Sequence, residues 1–232
     1  MSHSARAAVR RGIAADVSGT STESSRSRVA SAGPVAPDAV VIAVSTGGPN
    51  ALAELLPRLP STFPVPVLIV QHMPPMFTKL LADRLDAQCS LRVVEARDGD
   101  ELQPGTVYIA PGDRHLTVVT RGASTCTAIT QGPPENSCRP AADVLFRSAS
   151  TVFKERLLAV VLTGMGRDGL RGCEQVRQSG GRVLVQDQRT SVVWGMPGFV
   201  AERGLADHVL PLSEIADEIV RRCVDDRMQA GS

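Results

Sequence analysis

The sequence predicts an α/β fold: a doubly wound, mostly parallel sheet with helices on both faces and a small antiparallel hairpin. Three observations predict it. Val, Ile, Leu and Ala runs recur at residues 40–44, 65–70 (with Pro66 near its start) and 157–162, the signature of strands buried on both faces, as in parallel sheets. Segments with apolar residues at helical spacing alternate with them. Gly-containing turns divide three short β-prone runs between residues 107 and 130, which predicts a local antiparallel patch.

Each element has its own signal. Residues 40–44 form a strand that ends at Ser45, and Gly47 and Gly48 permit a sharp bend into a helix over 49–56. Residues 65–70 form the second strand and 77–87 the next helix, while 91–96 alternates like a strand. Short strands follow at 107–110, 115–120 and 126–130. Residues 141–153 carry a helical apolar stripe, and 157–162 is a wholly apolar strand. A helix over 171–178 is stopped by Gly180 and Gly181. The strand at 182–186 precedes a helix at 197–203 and a short strand at 208–211. Ser213 is expected to cap a final amphipathic helix that turns Ile215, Ile219 and Val220 inward.

Composition narrows the function. The chain has 232 residues, 25 basic and 24 acidic, for a formal net charge of +1. That balance argues against a nucleic-acid grip of basic residues. No apolar run approaches the ~18 residues of a membrane span, and the N-terminus lacks the apolar core of a secretory signal. The five cysteines (Cys89, Cys126, Cys138, Cys173 and Cys223) are odd in number and widely spaced. They form no metal-ligand motif or disulfide framework and fit reduced thiols in a cytoplasmic protein. Residues 1–37 are rich in Ser, Ala and Arg and lack periodicity. They read as a disordered tail before a domain at 38–227.

In parallel sheets, chemistry collects outside the carboxyl ends of the strands. Three strands end in reactive groups: Ser45, His72 and, on a Gly-rich loop, Asp168. A serine hydroxyl becomes a nucleophile when a base takes its proton. A histidine can be that base, and a buried carboxylate can orient the imidazole. Each also has a structural alternative. Ser45 suits a helix cap or a phosphate cradle, although no Lys follows the Gly pair and no GxGxxG is present. His72 suits a core histidine, and Asp168 a cap for the helix after Gly169. His3, His115 and His208 lie in the tail or open short strands and are weaker candidates.

The flanking motifs narrow the choice. They are Ser-Thr-Gly-Gly-Pro at 45–49, Gln-His-Met-Pro at 71–74 and Pro-Gly-Thr-Val-Tyr-Ile-Ala-Pro-Gly at 104–112. Arg139-Pro140, Asp-Val-Leu-Phe-Arg-Ser at 143–148, Thr-Gly-Met-Gly at 163–166 before Asp168-Gly169, Gln186-Asp187 and Gly-Met-Pro at 195–197 complete the set. With these, residues 38–224 resemble the catalytic domain of the CheB family of chemotaxis protein-glutamate methylesterases. The resemblance implies a hydrolase that removes methyl groups from glutamate esters on the cytoplasmic helices of methyl-accepting chemoreceptors, releasing methanol. Some members also deamidate receptor glutamines. It implies Ser45 as nucleophile, His72 as general base and then acid, and Asp168 as the orienting carboxylate. Backbone N–H groups of Thr46 and Met165 are the candidate oxyanion donors. No metal or organic cofactor, no nucleic acid and no membrane insertion are implied. The expected location is the cytoplasm, with recruitment to membrane receptor arrays.

The sequence departs from the family pattern in places. Members usually carry an N-terminal receiver domain, whereas the residues before the first strand here are too few for one. The expectation is an esterase that is constitutively open or gated by a separate receiver protein. Val44 stands before the serine where alanine is usual, and Cys138 stands where a histidine often precedes the Arg-Pro pair. Cys138 is therefore expected beside the substrate cleft. The receptor-tethering motif that ends some members is absent from Met-Gln-Ala-Gly-Ser.

Overall fold

A computed structural model describes residues 35–225. The expected tail therefore lies, up to residue 34, outside the described residues. Among the described residues there are nine strands and six α-helices, alternating except where four strands follow one another between the second and third helices. Seven strands form one wholly parallel sheet in the order β3-β4-β2-β1-β7-β8-β9. These are β1 (Ala39–Val44), β2 (Val67–Gln71), β3 (Arg92–Glu95), β4 (Thr106–Ile109), β7 (Leu157–Val161), β8 (Arg182–Gln186) and β9 (His208–Leu210). The remaining pair, β5 (His115–Arg121) and β6 (Ser124–Thr130), forms an antiparallel hairpin.

The period-2 alternation of strands sorts the core into two layers. In β1, Val40, Ile42 and Val44 face one cluster and Ala39, Val41 and Ala43 the other, all fully buried. The first layer holds the apolar stripes of α1 (Gly48–Leu55), α2 (Phe77–Asp86) and α6 (Leu212–Val220). The second holds α3 (Ala142–Phe153), α4 (Leu170–Gln178) and α5 (Met196–Glu202), together with Leu116 and Val118 of the hairpin. The sheet is thus covered on both faces, as the unbroken apolar strands predict.

Two expectations are corrected. The strand expected at 107–110 does not join the antiparallel patch. As β4 it pairs in parallel with β2 and β3, and only β5 and β6 are antiparallel. The reason is in its side chains: all four β4 residues are buried, while β6 ends exposed. Ser213 does not cap α6. The helix starts at Leu212 after Pro211, whose fixed φ of −61° sets up the first turn without a side-chain cap.

The winding reverses between β1 and β7. From central β1 the chain builds β2, β3 and β4 to one side, then crosses to build β7, β8 and β9 on the other. At such a switch point the carboxyl ends of neighbouring strands leave a crevice.

Close packing of α3 on α4 depends on Gly172. A Cβ there would lie 2.5 Å from the Cβ of fully buried Phe146. In an open helix, Gly→Ala gains about 1 kcal/mol, but overpacking a filled core costs about 1–3 kcal/mol. Gly172→Ala is therefore expected to lower the urea midpoint of unfolding, a sign opposite to that of an exposed helical site.

Candidate functional site

Ser45, His72 and Asp168 follow three neighbouring strands at this edge of the sheet, where His72 and Asp168 are in contact. Ser45 follows β1, His72 follows the adjacent β2, and Asp168 lies on the loop between β7 and α4. Local backbone chemistry holds each in place. The Ser45 N–H donates to the Thr163 carbonyl at 3.0 Å, and the His72 N–H to the Val44 carbonyl at 3.2 Å. Buried Gln71 donates its amide N–H to the carbonyls of both Ser45 (3.1 Å) and His72 (3.2 Å). One side chain thereby couples the two backbones. Gln71 Oε1 is buried and has no hydrogen-bond partner.

The two glycines after Ser45 have different reasons. Gly47 has φ +84°, in the left-handed region open to glycine. Gly48 is required by close approach, since a Cβ there would lie 1.9 Å from Gln71 Oε1. Across the crevice, a Cβ on Gly164 would lie 2.9 Å from the Ser45 Cβ and 2.4 Å from Met196 Sδ. Met196 and Pro197 are buried at the start of α5, with Met196 Sδ packed against Gly164.

Asp168 organises the site. Its Oδ2 accepts from His72 Nε2–H (2.8 Å) and the Ala142 N–H (2.6 Å). Its Oδ1 accepts from the Asp143 and Gly169 N–H groups and from Asn136 Nδ2, each at 3.1 Å. The carboxylate thus caps the N-terminus of α3, where orphan donors and the helix dipole favour a negative charge. The expectation of a cap on the helix after Gly169 is met only at the Gly169 N–H; the larger role is on α3. Burial pushes the Asp168 carboxyl up, but the hydrogen bonds from His72 and the Ala142 N–H outweigh it and hold it below its ordinary value.

Sequence reasoning missed Asn136 and Asp143. Asn136 Nδ2 also donates to Asp143 Oδ2 at 2.8 Å, so one amide bridges two carboxylates. Asp143 is buried and accepts from the Gly172 N–H at 2.6 Å; burial raises its pKa. The positive φ of Asn136 (+51°) is tolerated by asparagine, but no local spacing marks it in the sequence.

The imidazole of His72 has Asp168 on Nε2 and Cys138 Sγ 3.8 Å from Nδ1. Burial lowers its pKa, but the Asp168 carboxylate and the Cys138 contact overcome this and raise it to about 9. The reference value of ~6.5 therefore does not apply here. Asp168 contributes stability above its ordinary pKa and loses it as pH falls through its lowered folded value. His72 contributes fully below ~6.5 and loses its share as pH rises through about 9.

The Ser45 hydroxyl makes no hydrogen bond among the described residues. The Thr46 and Met165 N–H groups likewise have no acceptor. Thr46 lies on the turn into α1, and Met165, 75% exposed, follows the glycine packed against Ser45. Beside His72 a cleft of about 430 Å³ is lined by Pro74, Pro75, Ser137, Cys138 and Arg139. His115 is structural: its Nδ1 accepts from the Ala141 N–H and its Nε2–H donates to the Pro133 carbonyl. Cys89, Cys126, Cys138 and Cys173 form no disulfide among the described residues. Among the described residues, His72, Cys138 and Asp168 are the group whose ligand atoms fall within 4.8 Å of one another. No helix among those residues is long and apolar enough to cross a membrane.

Comparison with known proteins matches residues 40–219 to the family described as CheB methylesterase. A protein-glutamate methylesterase/protein-glutamine glutaminase of Trichodesmium erythraeum is 56% identical over 183 residues, covering 79% of this chain and 52% of its own. One from Nocardioides sp. is 57% identical over 188 residues, covering 81% and 51%. The chain spans about half the length of these curated relatives. The crystal structure of the Thermotoga maritima CheB methylesterase catalytic domain superimposes with a TM-score of 0.79 at 45% identity, covering 81% of this chain and 99% of that one.

Nuclear magnetic resonance titration of the His72 ring checks the electrostatics. Its pKa is expected well above 6.5, and Asp168→Asn is expected to lower it by removing the carboxylate charge. An unshifted ring in the intact protein would refute the ion pair.

Proposed function

Because this chain belongs to the CheB methylesterase family, we propose that it is a protein-glutamate methylesterase using Ser45, His72 and Asp168. Its substrates on this reading are glutamate methyl esters on the cytoplasmic helices of methyl-accepting chemoreceptors. Glutamine side chains are a second substrate of the same acyl chemistry, with ammonia leaving in place of methanol. The enzyme acts in the cytoplasm and meets its substrate at membrane receptor arrays.

The observation that carries this reading is the partly buried His72–Asp168 hydrogen bond at 2.8 Å, on the same sheet edge as a serine whose hydroxyl makes no hydrogen bond among the described residues. With Nε2–H committed to Asp168, Nδ1 is the nitrogen left to act as base. Ser45 Oγ turns toward it, loses its proton and bonds to the ester carbon. The N–H groups of Thr46 and Met165 receive the oxyanion, and loss of one such donor typically costs ~10²–10³ in rate. Nδ1–H then protonates the departing methoxide, which leaves as methanol. Water repeats the cycle on the acyl-serine: it gives a proton to Nδ1 as its oxygen bonds to the acyl carbon, the C–Oγ bond breaks, Ser45 Oγ takes that proton back from Nδ1–H, and the glutamate side chain leaves as the free carboxylic acid. Every step uses groups of the chain and water.

The rim of the site suits a protein substrate. Met76 and Phe77 at the start of α2 are 77% and 54% exposed, close in sequence to His72, and Met165, close in sequence to Asp168, is exposed as well. Apolar side chains of this kind gain by burial against an amphipathic helix.

Receptor membranes carrying labelled methyl esters test the assignment. Wild type is expected to release methanol, while Ser45→Ala loses ~10³-fold or more, as for a lost nucleophile. Equal release by the two proteins would sink the serine assignment. The pH profile is a second check. The base form of His72 is the deprotonated one, so kcat/KM is expected to rise with pH toward about 9 rather than level off above ~6.5. A plateau from pH 7 upward would count against His72 as the titrating base in the free protein.

A further inference from the structure

One imidazole here serves two reactive groups. Nε2 of His72 is 2.8 Å from Asp168, and Nδ1 is 3.8 Å from the thiol of Cys138. The thiol is thus within reach of the ring nitrogen that Asp168 leaves uncommitted, the contact a histidine makes with a nucleophile it deprotonates. We infer that Cys138 is a second nucleophile of this site, taking acyl groups from carboxylic esters and primary amides through the same His72–Asp168 pair. The inference rests on the acyl-transfer reading of the site.

The surroundings of Cys138 support it. The residue lines the cleft beside His72 and is only partly buried, whereas Cys126, Cys173 and Cys223 are buried. Its loop is fixed: Cys138 and Glu135 exchange backbone hydrogen bonds at 2.8 and 3.1 Å, and Arg147 grips the Glu135 carboxylate with two more at 2.7 and 2.6 Å. The Ser45 hydroxyl has no such contact with the ring. A thiol also surrenders its proton far more readily than an alcohol.

The chemistry balances without a co-reactant other than water. The Cys138 S–H proton passes to Nδ1 as sulfur bonds to the acyl carbon. The C–O or C–N bond breaks, and the leaving alkoxide or amine takes that proton from Nδ1–H. Water then gives a proton to Nδ1 as its oxygen bonds to the thioester carbon, and the departing thiolate recovers the proton. One water is consumed, and one carboxylic acid and one alcohol or ammonia are formed.

The test uses p-nitrophenyl acetate as acyl donor with the full chain. In Ser45→Ala, which removes no hydrogen bond made among the described residues, peptide mapping is expected to find acetyl on Cys138. That acetyl should be released by neutral hydroxylamine, and Cys138 should be labelled faster than half-buried Cys89. Adding His72→Gln should slow Cys138 labelling by ~10²–10⁴-fold, with circular dichroism confirming the fold. If the double variant unfolds, the Cys138-to-Cys89 rate ratio in Ser45→Ala decides alone. Labelling of Cys138 no faster than Cys89, or unaffected by loss of His72, would overturn the inference. Wild type acetylated at Ser45 with Cys138 bare in Ser45→Ala leaves the serine reading standing and removes this one. Acetylation at neither residue removes both.

Discussion

The five hydrogen bonds converging on Asp168 are the constraint on which the site depends. A buried carboxylate is costly unless its lone pairs are satisfied. Here the donors come from His72 after β2, from the loop carrying Asn136, from the first turn of α3 and from the start of α4. Ionising Asp168 therefore joins segments distant in sequence. The same charge fixes the ring of His72, assigns its proton to Nε2 and leaves Nδ1 toward the cleft. Fold stability and proton chemistry draw on one group.

Much of this was legible in the sequence because parallel sheets obey a positional rule. Ser45, His72 and Asp168 each follow an apolar strand, and the three strands lie side by side as β2-β1-β7. Element types were readable for the same reason: buried strands and amphipathic helices have different periods. What the sequence hid is non-local. Asn136 bridges Asp143 and Asp168 from a loop with no periodic pattern, and its role exists only once three segments have met. The β4 assignment failed because Gly-bounded short strands look alike whether they close a hairpin or enter a central sheet. The raised pKa of His72 was not legible because the carboxylate that contributes to it lies 96 residues away in sequence.

Small residues around Ser45 act through what they leave out. Gly48 makes room for the Gln71 amide and Gly164 for the serine itself. Main chain and side chains therefore approach one another closely at this edge of the sheet. Val44, the bulkier residue before the serine, points into the first core layer and leaves the crevice unaltered.

The placement of β1 between β2 and β7 also bears on how the molecule comes into being. β2 reaches β1 from nearby in sequence, but β7 arrives only after the hairpin and α3, and the contact that anchors its start joins Arg156 to Asp38 across 118 residues. Loop closure of that length is slow to reward the chain. A nascent polypeptide can pair the strands bearing Ser45 and His72 while Asp168 is still unplaced. The site at this sheet edge is therefore completed late, once the two halves of the sheet have joined.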